Sequence, residues 1–280
     1  RITGDLYGDL PSDISGRAWK RGVEDVPKVV TRLMKARWSR FMGEILVDHE
    51  EYHSASAYFL SALSVLNFPT PPTSTLRIKM SNFSLRKAST VTKLQNARKS
   101  DELLEAARTY TCIGVNIEAQ YRADAAFLRK APRYPFMELE NKYLFAIKYS
   151  LAANCPTKSG FVVACMSLAS AIANEHGPCA KADSLLALTG KHLPQVTEVK
   201  SQISVRETLG RYAIMKCNYA EAETQQKKLI WNGHFHHLRS VQIIGLEAMW
   251  SVKRLQGNWT DMCAVATEIR EVEPILGLIY

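Results

Sequence analysis

The apolar residues of this chain recur at helical spacing over most of its length, and this periodicity restricts the fold more than any other feature. Met34, Trp38, Phe41 and Ile45 follow one another at i, i+4, i+7 and i+11, which places them on one face of a helix. Strand patterns are nearly absent. Later helices are predicted at 135–153, 159–175, 179–192, 198–217, 219–231, 236–256 and 259–272. Helices of this length joined by short turns predict an all-α protein with antiparallel neighbours.

Breaks in the periodicity divide the chain into four segments. Residues 1–25 hold four glycines and a proline, and we predict an irregular N-terminal arm. Residues 26–72 are predicted to form a first helix hairpin, which the prolines at its end terminate. Residues 73–99 are predicted to form a basic connector or the start of a long helix. Residues 100–280 contain the remaining helices and are predicted to form one helical-repeat domain.

Small and aromatic residues share a frame in different parts of the chain. Tyr52, Tyr219 and Trp259 align as equivalent aromatic residues, each after a predicted turn. Small residues stand at the same distances from two of these aromatics. Gly43 and Gly210 lie nine residues before Tyr52 and Tyr219, and Ala55 and Ala222 lie three residues after them. An internal repeat of helix pairs is therefore predicted.

This frame resembles the tetratricopeptide repeat, in which a unit of ~34 residues packs two helices through small residues and an aromatic. The resemblance covers residues 36–69, 203–236 and 243–276, and more weakly 163–194 around Ala182. Trp250 replaces the small residue in the last unit. The resemblance implies an α-solenoid of antiparallel helix hairpins, each burying its apolar face against the next.

The resemblance also implies a groove for protein partners, lined by the first helix of each hairpin. The matching positions are Arg37, Arg40, Glu44, Glu207, Arg211, Met215, Glu247, Ser251 and Arg254. Some family members hold a partner's C-terminal carboxylate with basic and Asn side chains. Arg40 matches a basic position, but Glu44 stands where the Asn would be, so that specialised activity is not expected.

A basic segment between Glu51 and Asp101 contains seven cations and no carboxylate. Its cations are Arg77, Lys79, Arg86, Lys87, Lys93, Arg98 and Lys99. Three interpretations remain open: a solvated connector, a contact for an acidic protein, and a contact for RNA phosphates. The last would suit a subunit of a ribonucleoprotein, such as an organellar ribosome. Phe83 is the only aromatic residue among residues 77–99 that is available for base stacking.

Residues 49–53, His-Glu-Glu-Tyr-His, match the H-E-x-x-H pattern of zinc hydrolases. In the repeat frame they form a turn, so His49 and His53 would lie across a helix break and could not bind one metal ion. A zinc hydrolase is therefore a remote alternative. The cluster at residues 234–237, which holds three histidines, is expected to be solvated or to cap a helix.

The remaining features predict a non-enzymatic scaffold or a subunit of a larger intracellular assembly. Apolar residues make up 46% of the chain and charged residues 22%, which is typical of a folded protein. Phosphate-binding loops and nucleophile elbows are missing, so no enzyme, cofactor or metal is predicted. The chain has no apolar run of about 18 residues, so no membrane span is expected. Six scattered cysteines suggest reduced thiols, in cytoplasm, nucleus or organelle matrix.

Overall fold

Residues 31–87, 89–127, 133–154 and 159–273 are described by the computed structural model, and within these ranges the chain forms twelve α-helices and no strand. The helices are α1 (Arg32–Asp48), α2 (Tyr52–Val65), α3 (Thr75–Arg86), α4 (Ser89–Ala97), α5 (Ser100–Phe127), α6 (Phe136–Ala152), α7 (Ser159–His176), α8 (Ala180–His192), α9 (Val199–Met215), α10 (Tyr219–Phe235), α11 (Arg239–Leu255) and α12 (Trp259–Val272). The all-α prediction is confirmed. The predicted arm, residues 1–25, lies outside the described residues.

The same three-residue turn joins four helix pairs in the described part of the chain: α1–α2, α9–α10, α10–α11 and α11–α12. Its middle residue has a positive φ at Glu50, Cys217, His237 and Gly257. After α9, the N–H of Asn218 donates to the carbonyl of Ala213 at 2.9 Å. This bond closes the end of the helix, as in a Schellman cap. The same turn therefore reverses the direction of the chain at all four places.

Helices α10, α11 and α12 each begin twenty residues after the start of the preceding helix, because α9, α10 and α11 have 17 residues and each is followed by a three-residue turn. A hairpin therefore repeats every forty residues here, which is longer than the ~34 residues of the tetratricopeptide unit. The extra length adds roughly one turn to each helix of the pair. The architecture is a solenoid of hairpins with longer helices than the resemblance implies.

The conformation of these turns makes a stability test possible, because an L-residue with a side chain resists positive φ. We expect His237→Gly to raise the free energy of unfolding by about 1 kcal/mol. The reverse change at the equivalent position, Gly257→Ala, should lower it by about 1 kcal/mol. Urea denaturation of both variants measures the difference. Effects of the same sign in the two variants would contradict the shared turn geometry.

Small residues bring the two helices of a hairpin together at the positions that the repeat frame marked. Ala55, Ala222 and Ala182 are fully buried. A Cβ at Gly43 would lie 2.7 Å from Cδ1 of the Phe59 ring, and a Cβ at Gly210 would meet the side chain of Gln226. Gly43 and Gly210 hold the same place in their hairpins, and so do Phe59 and Gln226, seven residues after the aromatic. The repeat frame is therefore visible in the packing.

The first helix needs a correction. Its predicted apolar face, formed by Met34, Trp38, Phe41 and Ile45, is 42–50% exposed. The buried face of α1 is instead the one that carries Ala36, Arg40 and Gly43. Arg40 belongs to this inward face because it pairs with a buried carboxylate on α5, a contact between distant residues that local periodicity does not reveal.

The basic segment 73–99 is a second correction, because it is neither a connector nor the start of a long helix. It forms α3 and α4, which pack against α6, while α2 and α5 contact each other directly. Ile78 and Leu85 are buried in this contact. Asn82 Nδ2 donates to Glu140 Oε2 at 3.2 Å, and Asn141 Nδ2 donates to Asn82 Oδ1 at 2.8 Å. The pair α3–α4 is thus a folded insertion on the side of the stack.

The core of the described residues runs continuously from α1 to α9, with two smaller clusters among α9 to α12. Its aromatic centre joins α5, α6 and the segment after α2, where the rings of Tyr110 and Phe145 stack at 4.6 Å. The hydroxyl of Tyr110 donates to the carbonyl of Pro69 at 2.6 Å. This bond fixes the proline-rich segment against the stack. No helix in the described ranges is long and apolar enough to cross a bilayer.

Candidate functional site

The predicted groove positions on α1 belong to an ion cluster around the buried side chains of Arg40 and Glu105. Arg40 Nε donates to Glu105 Oε1 at 2.6 Å, and the same guanidinium pairs with Glu44. Arg37 Nε lies 3.5 Å from Glu105 Oε2. Although burial alone would lower it, these two carboxylates hold the pKa of Arg40 above its ordinary value. The prediction of Arg40 as a partner contact is corrected, because α5 covers the groove side of the first hairpin.

The thiol of Cys112 completes this cluster from α5, since its Sγ donates to Glu44 Oε1 at 3.2 Å. Burial raises its pKa well above the ordinary value, which keeps the thiol protonated and unreactive. Cys165 is fully buried, whereas Cys112 is half-buried, and burial raises the pKa of Cys165 to about 12. The described cysteines are free thiols: Cys112, Cys165, Cys179, Cys217 and Cys263.

Two of the three predicted positions on α9, Arg211 and Met215, line a cavity of about 260 Å³ between α7, α8 and α9, whereas Glu207 does not line it. We call it the first-helix groove, and it is lined by Ser170, Ala173, Asn174, Leu186, Thr208, Arg211, Tyr212, Ile214 and Met215. Arg211 pairs with Glu207 on the same helix, and Met215 is exposed at the edge. The cavity therefore combines an apolar interior with a cation and an amide at its border.

Further polar groups surround the first-helix groove and were missed from the sequence. Asn174 Nδ2 donates to the hydroxyl of Tyr134 at 3.4 Å, and the ring of Tyr134 meets Tyr121 edge-on at 5.2 Å. Arg122 Nη2 lies 2.8 Å from Glu118 Oε1. Burial raises the pKa of Tyr134 to about 12, so its hydroxyl remains a hydrogen-bond donor at neutral pH. No local motif marks these residues, because they come from α5, from α7 and from the segment before α6.

The predicted groove residues on α11 are Glu247, Ser251 and Arg254. They line neither the first-helix groove nor the larger groove over α11 that is described below. Glu247 and Ser251 lie forty residues after Glu207 and Arg211, and so occupy the equivalent face of the next hairpin. Ser251 Oγ donates to the carbonyl of Glu247 at 3.0 Å. The guanidinium carbon of Arg254 lies 5.3 Å from the centroid of the Trp250 ring. The nine predicted groove residues therefore fall into three separate environments.

A larger groove of about 560 Å³ lies over α11, between α10 and α12, and no sequence pattern pointed to it. Its apolar walls and floor include Ile230, Leu246, Met249 and Val265. At one end, Lys253 Nζ lies 2.9 Å from Glu223 Oε1 and 3.1 Å from Asp261 Oδ2. We call this surface the second-helix groove. It was missed because its walls belong to helices that are about forty residues apart.

The H-E-x-x-H match is a turn, as predicted. His49 is the C-cap of α1, Glu50 has the positive φ of the shared turn, and His53 lies in the first turn of α2. The two imidazoles therefore do not lie on one helix face. Across the described ranges, no group of three His, Cys, Asp or Glu side chains is arranged to hold a metal ion. Of the later histidines, His234 lines the second-helix groove and His236 caps α10.

Three of the seven predicted basic contacts take part in the structure of the chain. Arg86 Nη2 lies 2.7 Å from Glu140 Oε1. Arg98 donates to the carbonyls of Leu66 at 3.3 Å and Asn67 at 2.7 Å. Lys87 Nζ lies 4.8 Å from the centroid of the Phe83 ring. The exposed cations of the segment that make none of these contacts are Arg77, Lys79, Lys93 and Lys99.

Comparison with known proteins supports the fold class that this geometry defines, an α-solenoid of antiparallel hairpins. The sequence matches no protein-family model and no curated protein at a significant level. The structure is similar to a crystal structure of a Rap protein complexed with competence and sporulation factor. The two share a TM-score of 0.55 at 11% sequence identity, over 91% of this chain and 58% of that one. The chain therefore spans 58% of the length of that Rap protein.

Proposed function

We propose that this protein is a non-enzymatic interaction scaffold that binds a segment of a partner protein in the first-helix groove, within a larger assembly. The observation that carries the proposal is the 260 Å³ cavity between α7, α8 and α9, which contains two residues that the repeat frame placed in a groove, Arg211 and Met215. The likeness to a Rap protein that is complexed with a factor supports a binding role.

The size of the cavity favours a protein partner over a metabolite. Pockets for small molecules usually measure roughly 300–1,000 Å³, whereas this cavity has room for one or two side chains. Its apolar lining suits an aliphatic or aromatic anchor of the partner. In this proposal, the Asn174 amide at the border, which also donates to Tyr134, hydrogen-bonds the partner's backbone, and Arg211, which pairs with Glu207 on its own helix, attracts a carboxylate beside the anchor.

Site-specific photo-crosslinking tests this proposal. We expect benzoylphenylalanine at Met215 to crosslink a protein partner in cells, because this exposed side chain borders the cavity. The same group at Leu188, an exposed apolar residue of α8 that does not line the cavity, is the control. Ser170→Trp should fill the cavity and remove the Met215 crosslink. A crosslink that persists with Ser170→Trp, or that is equally strong at Leu188, would contradict the proposal.

Contact with RNA through the basic segment stays a prediction from the sequence. Arg86 and Arg98 already bind groups of the chain itself, which leaves fewer cations for phosphates. The proposed scaffold function does not depend on this contact, and the variants above leave the basic segment unchanged.

A further inference from the structure

The outward face of α3 carries an apolar ridge that is more exposed than the apolar face of α1. Leu76, Met80 and Phe83 follow at i, i+4 and i+7 and are 66–69% exposed. The opposite face of the helix is buried against α6 through Ile78 and Leu85. The helix is therefore held on the stack by one side and presents apolar groups to solvent on the other. We call Leu76, Met80 and Phe83 the α3 ridge.

Cations frame the α3 ridge on its flanks and at its end. Arg77 and Lys79 are exposed on the two sides of the ridge, and Lys87 lies at its C-terminal end with its amine over the Phe83 ring. Lys148 from α6 adds a further amine, 3.5 Å from the carbonyl of Lys87. No carboxylate occurs in the sequence from residue 52 to residue 100. The surface is therefore apolar at its centre and positive at its edges.

Glu140 of α6, which accepts a hydrogen bond from Asn82 of α3, does not cancel this charge. Glu140 is buried, and its Oε1 lies 2.7 Å from Arg86 Nη2 and 3.2 Å from Lys181 Nζ. It is neutralised by two cations that are themselves partly exposed, so the surrounding surface keeps its positive charge.

We propose that the α3 ridge is a membrane-contact surface, which places Leu76, Met80 and Phe83 in the headgroup region of an anionic bilayer while the flanking cations pair with lipid phosphates. This inference goes beyond the proposed scaffold function and does not rest on it. Helices that lie on membranes combine apolar residues such as Phe and Leu with Lys and Arg at the level of the headgroups. Long cationic side chains reach the phosphates while their stems stay in apolar surroundings.

Shape and composition favour a bilayer over the other anionic partners. The ridge is the convex surface of a helix on the outside of the stack, and the two grooves described above are lined by other helices. The ridge therefore lacks the concave groove into which an amphipathic peptide helix places its anchors. RNA would gain little from Leu76 and Met80, because neither stacks on a base, and Lys87 already lies over the ring of Phe83.

Sedimentation with lipid vesicles tests the inference on the full chain. We expect the protein to bind phosphatidylcholine vesicles that contain phosphatidylserine, and to bind pure phosphatidylcholine vesicles far more weakly. Each cation near an anionic surface contributes roughly fivefold to partitioning, so Arg77→Ser, Lys79→Ser and Lys87→Ser together should weaken binding by roughly 100-fold. Leu76→Ser, Met80→Ser and Phe83→Ser together should weaken it by at least roughly tenfold.

A matched control separates the ridge from general apolar exposure. The triple change Met34→Ser, Trp38→Ser and Phe41→Ser alters residues of the same spacing on α1 and should leave vesicle binding unchanged. Circular dichroism checks that every variant keeps its helix content. Equal losses in the α1 and α3 variants would overturn the inference, and so would equal binding to the two kinds of vesicle.

A parallel binding measurement with polyuridylic acid tests whether the same surface binds RNA rather than a membrane. The inference is overturned if the protein binds this RNA, loses it with the cation variant and keeps it with the ridge variant, while anionic vesicles are not bound. The absence of binding to both vesicles and RNA also overturns it. A loss of vesicle binding in both α3 variants, with the α1 variant unaffected, supports it.

Discussion

Replacing Arg40 by methionine is expected to lower the free energy of unfolding by about 3–5 kcal/mol, because it leaves the carboxylate of Glu105 buried without its main partner. Glu105 is 1% exposed at its side chain, so water cannot take the place of the guanidinium. The remaining contact, from Arg37 at 3.5 Å, is longer and comes from a half-exposed side chain. Urea denaturation followed by circular dichroism measures the loss.

Two further variants show whether the buried charge is the cause. Arg37→Met removes the exposed cation of the same cluster and should cost less than about 1 kcal/mol. The double variant Arg40→Met with Glu105→Leu removes both buried charges and should recover most of the stability, since Glu44 is solvated enough to remain without Arg40. If the double variant is as unstable as Arg40→Met alone, lost packing rather than the unpaired carboxylate accounts for the effect.

The second large effect is expected at Gly233, where α10 crosses the start of α11. A Cβ there would lie 2.5 Å from the backbone nitrogen of Gln242 and 2.8 Å from its Cα. Backbone atoms cannot rotate away, so Gly233→Ala must move the two helices apart. We expect a loss of about 2 kcal/mol, in spite of the roughly 1 kcal/mol by which alanine favours a helix over glycine.

Gly190 provides the matched control for this change, because it is also a helical glycine but has no atom within 4 Å of its ideal Cβ position. At Gly190 an added Cβ meets no other atom, so only the preference of alanine over glycine for the helix acts. Gly190→Ala should therefore raise the free energy of unfolding by about 0.5–1 kcal/mol. Thermal or urea unfolding of the two variants compares the effects. A stabilised Gly233→Ala variant would show that the contact between α10 and α11 is not tight.

The helices were predictable where apolar residues fall on a single face, and were missed where they do not. Helix α3 has Ile78 and Leu85 on its buried side and three more apolar residues on the exposed α3 ridge. Apolar residues on both faces leave no single stripe, so the sequence pattern resembled a connector. The turn at residues 49–51 was predictable because its position relative to Tyr52 repeats at Tyr219 and Trp259.

The candidate site was only partly predictable, because its geometry depends on pairs of residues that are far apart in sequence. Arg211 and Met215 were placed in a groove from the repeat frame, and they line a cavity. The same frame placed Arg40 on the groove face of the first hairpin, where it matches Glu207, yet Arg40 is buried against a carboxylate 65 residues later. The repeat frame predicts which face of a helix points toward the groove. Which other helix covers that face depends on the complete topology, which the frame does not contain.

The direct contact between α2 and α5 has a consequence for how this protein can change during evolution. Since the stack passes from α2 to α5 without α3 and α4, the chain between them acts as a loop whose ends are held by their own packing. The entropy cost of closing such a loop grows slowly, by only about 0.6 kcal/mol for each doubling of its length. Related proteins can therefore lengthen, shorten or exchange this insertion, and acquire a different outer surface, while the solenoid beneath it stays the same.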